Sequence, residues 1–301
     1  MREQTTEPIE GIFTDLGNAE IVPPSWVIDN LLPSGLVFLG APPKAGKSTL
    51  TMAAALLVSG HECQALPLFM SKVIQPGPAI MFSYEAGAGE LRHMAEYGMK
   101  CRVTANESIL ICDDPWEFRL DDPGGMKRLL YWASERNPSL IVLDPLRDFH
   151  QEDENDSGAM NRLLRPIRQW AIENDASVVV VHHTTKPKEG QSSYEALDLR
   201  GTGALFGIAD GVIMLTPRPS NQVSIKTIYK RAKGWEATVT LGTYDNAGKS
   251  AGEATNEIDK LVIAYLNSNL TADPEHAARV LKMQVARVKE SVEKLKRNGY
   301  V

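Results

Sequence analysis

Short, nearly continuous apolar runs alternate with longer segments in which apolar residues recur at helical spacing. LVFLG (Leu36 to Gly40), AIMFSY (Ala79 to Tyr84), LIVLD (Leu140 to Asp144) and SVVVVH (Ser177 to His182) are the clearest runs. Their β-branched content and near absence of polar positions suit strands buried on both faces of a parallel sheet. The segment from Ser48 to about Ser59 reads as a helix, as does the one following Tyr84 through about Tyr97, and the other amphipathic stretches suit crossover helices. Gly211 to Leu215 and Val223 to Tyr229 add two strands, the second alternating apolar and polar as an outer strand does. The pattern predicts a doubly wound α/β core.

The flanks differ from this core. Residues 1–22 form an N-terminal strap that leads through IVPPSWVIDNLLPSG into the core, which is placed at 23–244. DNAGKSAGEATN (Asp245 to Asn256) is polar and rich in small residues, the composition of a linker. Beyond it, residues 257–301 carry three helical segments: Glu257 to Asn267, Pro274 to about Leu281, and Gln284 to Arg297. Pro274 after Asp273 fits a capped helix start, and Gly299 stops the last helix, giving a small helix-turn-helix or winged-helix-like module.

Composition narrows the class without changing this picture. Hydrophobic residues make up 43% and charged residues 23% of the 301, ordinary values for a globular protein. No apolar run reaches the ~18 residues of a membrane span, and the polar start MREQTTEPIEGIF lacks the apolar stretch of an export signal, so a cytoplasmic protein without membrane contacts is expected. Cys63, Cys101 and Cys112 have no metal-ligand spacing and read as buried thiols in a reducing compartment. A net charge of −6 excludes a chain basic all over, yet leaves room for a local basic face toward nucleic acid.

The candidate chemistry begins at GAPPKAGKST, directly after the first core strand and leading into a helix. Backbone N–H groups of Ala41, Pro42, Pro43, Lys44, Ala45, Gly46, Lys47, Ser48 and Thr49 (prolines excepted) surround the place where a polyphosphate would lie at the positive end of the helix. In such a phosphate loop Lys47 reaches the β- and γ-phosphates and the Ser48 hydroxyl binds Mg2+, which implies ATP and Mg2+ as cofactors. The spacing puts Ala41 where the motif has its first glycine, with Gly40 one residue early. Asp144 ends an apolar strand, where a carboxylate is delivered to a magnesium site at the sheet edge. Glu85, after another strand, would share that edge and could accept a proton from attacking water; a solvated glutamate opening the next helix is the alternative. His182 and His183 end the fourth run, and because successive strand residues face opposite ways, at most one looks into the site. Two adjacent histidines without further ligands make a poor zinc site, so a phosphate-sensing donor is the expected role.

Taken together, LIVLDPLRDFHQEDENDSGAM, VVVHHTTK, LRGTGALFGIADGVIML and the opening WVIDNLLPSGLVFLGAPPKAGKS resemble the RepA-type hexameric replicative helicases of plasmids and mobile elements, in the RecA/DnaB-like branch of P-loop ATPases. The resemblance runs from about Pro23 to Leu241. It implies a RecA-like core with a mainly parallel sheet and a DNA-stimulated ATPase. The site would hold Lys47 on the phosphates, Ser48 and Asp144 on Mg2+, Glu85 as the water-activating base and His183 as the sensor. Arg200, in LRGTG, falls on a motif position without an assigned contact. Ring ATPases of this branch complete each site with a basic finger from the neighbouring subunit. The plasmid helicases have an arginine near the position of Asp210, so that finger is missing here, and Lys230, Arg231 and Lys233 in YKRAKG are the candidate substitutes.

Single-stranded DNA is the expected partner, together with further copies of the chain in a hexamer, another ring or a filament. In RecA-like rings the loop matching TTKPKEGQSSYEAL faces the channel, where Lys186 and Lys188 would meet phosphates and Tyr194 would stack on a base. The loop from Arg147 to Gly158 is acidic and suits a neighbouring subunit better than a nucleic-acid backbone. In the last helix Arg287 and Lys289 belong to a basic face opposite Val285, Val288, Val292 and Leu295, which suits duplex DNA or a replication protein. A hexameric helicase is the leading function; a RecA-like recombination or annealing ATPase and a nucleotide-gated DNA-binding regulator or loader are the alternatives.

Overall fold

The computed structural model describes residues 23–63, 72–185, 193–201, 203–219, 222–240 and 284–297, with Leu16, Ile21, Glu275 and Ala278 as isolated positions. Its order begins with β1 (Trp26–Ile28), β2 (Leu32–Pro33), β3 (Gly35–Ala41), α1 (Lys47–Val58), β4 (Ala79–Ser83) and α2 (Ala88–His93). It continues with β5 (Ile109–Cys112), α3 (Pro123–Arg136), β6 (Leu140–Asp144), α4 (Ser157–Glu173) and β7 (Ser177–His183). It closes with α5 (Gly203–Ile208), β8 (Gly211–Arg218), β9 (Gln222–Tyr229), β10 (Glu236–Thr240) and α6 (Val285–Arg297).

Eight strands form one sheet in the order β10-β9-β8-β3-β7-β6-β4-β5. The six from β8 to β5 run parallel, and β9 and β10 are antiparallel additions at one margin. Along β3 the side chains divide by parity. Val37, Leu39 and Ala41 join one core with α1, while Leu36 and Phe38 join the other with α4. β6 and β7 divide the same way, which is why their sequences carry no polar alternation: both faces are covered by helices.

Helix starts follow from local chemistry. Asp122 accepts from the Gly124 and Gly125 N–H groups, with Pro123 next in line, and so begins α3. Asp156 does the same for α4 through the Gly158 and Ala159 N–H groups. The helix after Tyr84 begins as expected but changes at Met94 into a π-turn, Met94–Gly98.

Three differences from the sequence reading stand out. β5 and β10 were not anticipated: β5 is a four-residue margin strand with half-buried positions, so its pattern is weak on both sides. The segment leading into the core carries two short strands, β1 and β2, that the sequence reading did not place. Val27, Ile28, Leu31 and Leu32 are buried, and the Asn30 carbonyl accepts from Tyr229 Oη at 2.7 Å and Trp235 Nε1 at 2.5 Å. Third, Cys63 and Cys101 are joined as a disulfide 38 residues apart in sequence, so the expectation of three thiols holds only for Cys112.

The linker at 245–256 and the first two C-terminal helical segments lie outside the described residues, apart from Glu275 and Ala278. In α6, Val288 and Val292 are buried and Arg287 and Lys289 exposed, as the helical spacing requires. Val285 departs from the expected buried face at 39% exposure, and Lys289 pairs with Glu275 at 3.2 Å. Among the described residues no helix is long and apolar enough to cross a membrane.

Candidate nucleotide site

Four strands that are consecutive in space, β3, β7, β6 and β4, each present a chemically competent residue at the same edge of the sheet. The loop Pro42–Gly46 leaves β3, His183 closes β7, Asp144 closes β6 and Glu85 lies just beyond β4. The parallel register brings them to one edge in two tiers: Ala41 pairs with His183, Ser83 with Asp144, and, with Leu143 opposite Val180, Asp144 lies two residues short of the His183 level. A parallel sheet delivers all its C-terminal strand ends to one side, so residues far apart in sequence converge there.

The phosphate loop has the form of an anion cradle. Lys44 (φ 61) and Gly46 (φ 90) take left-handed conformations that fold the backbone back on itself. Gly46 caps α1 without any side-chain hydrogen bond, and no acidic residue occupies the first turn. The N–H groups that open α1 are thus left for a ligand. Lys47 is buried and its Nζ curls back to donate to the carbonyls of Ala41 at 3.4 Å and Pro42 at 3.2 Å. Burial lowers its pKa, and the nearby Glu85 and Asp144 carboxylates oppose that shift.

The misplaced glycine also finds its reason. Ala41 is a regular strand residue, fully buried and paired to His183, so its position demands no special backbone conformation. Gly40 is the position where a side chain is excluded, since a Cβ would lie 2.4 Å from Leu199 Cδ2 and 2.7 Å from Met214 Sδ.

Asp144 is 3% exposed, and its Oδ1 has no hydrogen-bond partner. Burial pushes its carboxyl up to about 7, with Glu85 adding to the shift and Lys47 opposing it. A buried, unpartnered carboxylate oxygen beside a phosphate cradle fits Mg2+, which keeps most of its water and takes one or two protein oxygens. Ser48, half-buried on the first turn of α1, is the hydroxyl placed to join it. Among the described residues no cluster of three or more His, Cys, Asp or Glu could hold a metal alone.

Glu85 and His183 meet directly, with Oε1 and Nε2 3.5 Å apart. Burial and Lys47 lower the His183 pKa while Glu85 opposes, which favours a neutral ring. Its neighbour His182 points to the other face of the sheet, where it is 2% exposed, with Nε2 3.9 Å from Glu154 Oε1. The alternation rule therefore separates the pair as expected, and His150 and Glu154, to which the sequence reading gave no role, sit on the far side with His182. They belong to the stretch that carries the family resemblance, and the apolar Phe149 beside them was the sign that this acidic string is partly buried. Arg200 approaches through its backbone, its N–H donating to the His183 carbonyl at 3.0 Å.

The other expected contacts resolve less uniformly. Tyr194 is 7% exposed within the hydrophobic core and cannot offer its ring to a base, which corrects the stacking role. Lys186 and Lys188 lie outside the described residues. Lys230, Arg231 and Lys233 are exposed in the turn between β9 and β10. That turn adjoins the opposite edge of the sheet: the Lys230 N–H donates to the Asp210 carbonyl, and Asp210 immediately precedes β8. The three cations therefore lie across the sheet from their own chain's phosphate loop. Asp210 itself is no vacated finger position open to solvent. It is buried and clamps Arg168 through two hydrogen bonds of 2.7 Å.

A family model described as an AAA domain matches residues 3–189. The ATPase domain of G40P is similar in structure, with a TM-score of 0.54 and 15% identity over 73% of this chain and 85% of that one. A DnaB-like replicative helicase, determined with its interactions with primase, gives a TM-score of 0.53 and 15% identity over 72% of this chain and 58% of that one. At such identities the likeness establishes the fold, a RecA-like P-loop ATPase core with a mostly parallel central sheet. With the family model covering more than half of its length, the chain belongs to the AAA domain family.

Proposed function

We propose that this chain hydrolyses ATP with Mg2+ and uses the cycle to act on DNA, as a hexameric replicative helicase of the RepA type. The observation that carries the reading is the shared edge of four adjacent strands, with His183, Asp144 and Glu85 at their ends and Lys47 at the uncapped helix start beside them. Lys47 exchanges the Ala41 and Pro42 carbonyls for β- and γ-phosphate oxygens. Asp144 and Ser48 would hold the metal, and bound Mg2+ would supply charge neutralisation of the phosphate oxygens. Glu85, the more exposed of the two carboxylates, accepts the proton of the attacking water. His183, beside Glu85, donates to the γ-phosphate and registers its departure.

Motor action on DNA is supported by the fold shared with the G40P ATPase domain and the DnaB-like replicative helicase. In this reading Lys186 and Lys188 grip a single strand in the channel, and Arg287 and Lys289 serve duplex DNA or a replication protein. Lys230, Arg231 or Lys233 completes the site of the next subunit, since all three stand at the edge away from their own phosphates.

Replacing Glu85 with Gln tests the site: ATP binding should persist while turnover falls by about a hundredfold or more. Retained turnover would place the base elsewhere. Solution mass with a non-hydrolysable ATP analogue should give a closed ring of fixed size; open-ended filaments would favour a recombination or annealing ATPase.

A further inference from the structure

Beneath the nucleotide edge, on the face of β7 away from the phosphates, lies a buried polar group that ATP hydrolysis as proposed does not use. His150, Glu154, His182 and Thr184 are all buried. Both ring nitrogens of His150, Oε1 of Glu154, Nε2 of His182 and Oγ1 of Thr184 lack hydrogen-bond partners. Withholding that many polar atoms from water is costly, and such costs persist where function requires them.

The connections run to the site by two routes. His182 is joined in sequence to the sensor His183 and faces Glu154 across 3.9 Å, just beyond hydrogen-bond reach; a movement of about 1 Å closes the gap. The second route passes through the segment after α4's partner strand. The Arg200 N–H holds the His183 carbonyl at 3.0 Å, and Thr184 bridges to Leu199. Next to Arg200, Gly201 takes φ +102 and lies so close to Glu154 that a Cβ would be 2.8 Å from its carbonyl oxygen. Glu154 therefore faces the His182 side chain on one side and lies against the Gly201 backbone on the other. Its own loop starts at Asp144, through the 3-10 turn Leu146–Phe149, and is braced by Arg147 donating to the Glu152 carbonyl at 3.1 Å.

We propose that Glu154 is a positioning residue for His183, closing onto His182 when the sensor engages the γ-phosphate and so linking nucleotide state to the acidic loop 150–156. The proposal rests on the ATPase reading above. The pair is chemically matched for closure. Burial lowers His182 to about 4 and raises the Glu154 carboxyl, so the ring that faces Glu154 is neutral and its Nε2 can pair with Oε1 once the gap closes.

The test uses the full chain and a double-mutant cycle of Glu154→Met with His183→Ala. Glu154→Met keeps the length of the side chain but removes its polar end, and His182→Asn approaches the same contact from the other side should the first variant fold poorly. Thermal melting and binding of a fluorescent ATP analogue are measured alongside turnover. Either variant is expected to lower kcat about tenfold at unchanged nucleotide affinity, and to cause no further loss in a chain already carrying His183→Ala. Unchanged kcat, a loss confined to nucleotide affinity, or a loss that multiplies with that of His183→Ala would overturn the proposal. Failure of the ATPase reading would look different: the unsubstituted chain would then turn over ATP no faster than Lys47→Ala.

Discussion

Replacing Asp210 with alanine removes a clamp that three elements share. One carboxylate oxygen accepts from Arg168 Nε on α4 at 2.7 Å and from the Leu36 N–H at the start of β3 at 3.1 Å; the other accepts from Arg168 Nη2 at 2.7 Å. Asp210 is buried, whereas the Arg168 side chain keeps 21% of its surface exposed. Loss of the carboxylate therefore strands a mostly buried guanidinium and leaves a buried backbone donor empty. Removing one partner of a buried pair costs ~3–5 kcal/mol, and the partial exposure of Arg168 puts the expectation at the lower end, about 3 kcal/mol. Asp210→Asn keeps a neutral acceptor and should cost about half as much.

Denaturant unfolding followed by tryptophan fluorescence reads both losses as shifts of midpoint. Adding Arg168→Met to Asp210→Ala should recover about 1–2 kcal/mol, because the stranded charge goes with it. A loss below about 1 kcal/mol, or no recovery in the double variant, would refute the clamp. ATP binding by the folded fraction should stay normal, since Asp210 lies at the edge of the sheet away from the phosphate loop.

Asp144→Asn should separate stability from activity. A carboxyl held at about 7 in the folded chain is stabilising below its unfolded pKa, and that contribution disappears as pH rises through 7. The variant should thus melt like the parent at pH 4, be more stable at pH 8 by about 2–4 kcal/mol, and lose Mg2+-dependent turnover; equal melting at both pH values would contradict the shift. Complementation tests the shared site: Lys47→Ala chains mixed with chains carrying alanine at Lys230, Arg231 and Lys233 should regain part of the turnover that each lacks alone. Mixtures as inactive as their components would exclude those cations as fingers.

Much of the core was legible because the central strands are covered on both faces, and such strands must be written in β-branched residues without polar relief. The edge residues were legible for a related reason: a polar residue ending an apolar run, as at Asp144 and His183, is conspicuous. β5 was not, because a short margin strand with half-buried side chains has no such contrast. The Cys63–Cys101 bond was hidden by its separation, which carries no local pattern. Glu154 and His150 were hidden by their company, since HQEDEN has the charge density of a solvated loop and only the fold turns two of its members inward. Asp210 drew notice only as a place without the expected arginine; its own part, three hydrogen bonds within the scaffold, shows only in the fold.

Charge at the nucleotide edge bears on the proposed sharing of the site between chains. Lys47 is the buried cation there, and it faces two carboxylates, Glu85 and Asp144, before any ligand arrives. A magnesium triphosphate adds further net negative charge, which grows on the leaving oxygens as the γ-phosphoryl group departs. Arg200 is exposed near His183 and is one cation of the same chain on hand to help there. Lys230, Arg231 and Lys233 cannot, because the sheet stands between their turn and their own phosphate loop. The proposed ring would meet this need by stacking copies edge to edge, so that each lends its basic turn to the acids and cradle of the next. Hydrolysis at one edge would then be felt by the neighbour's turn.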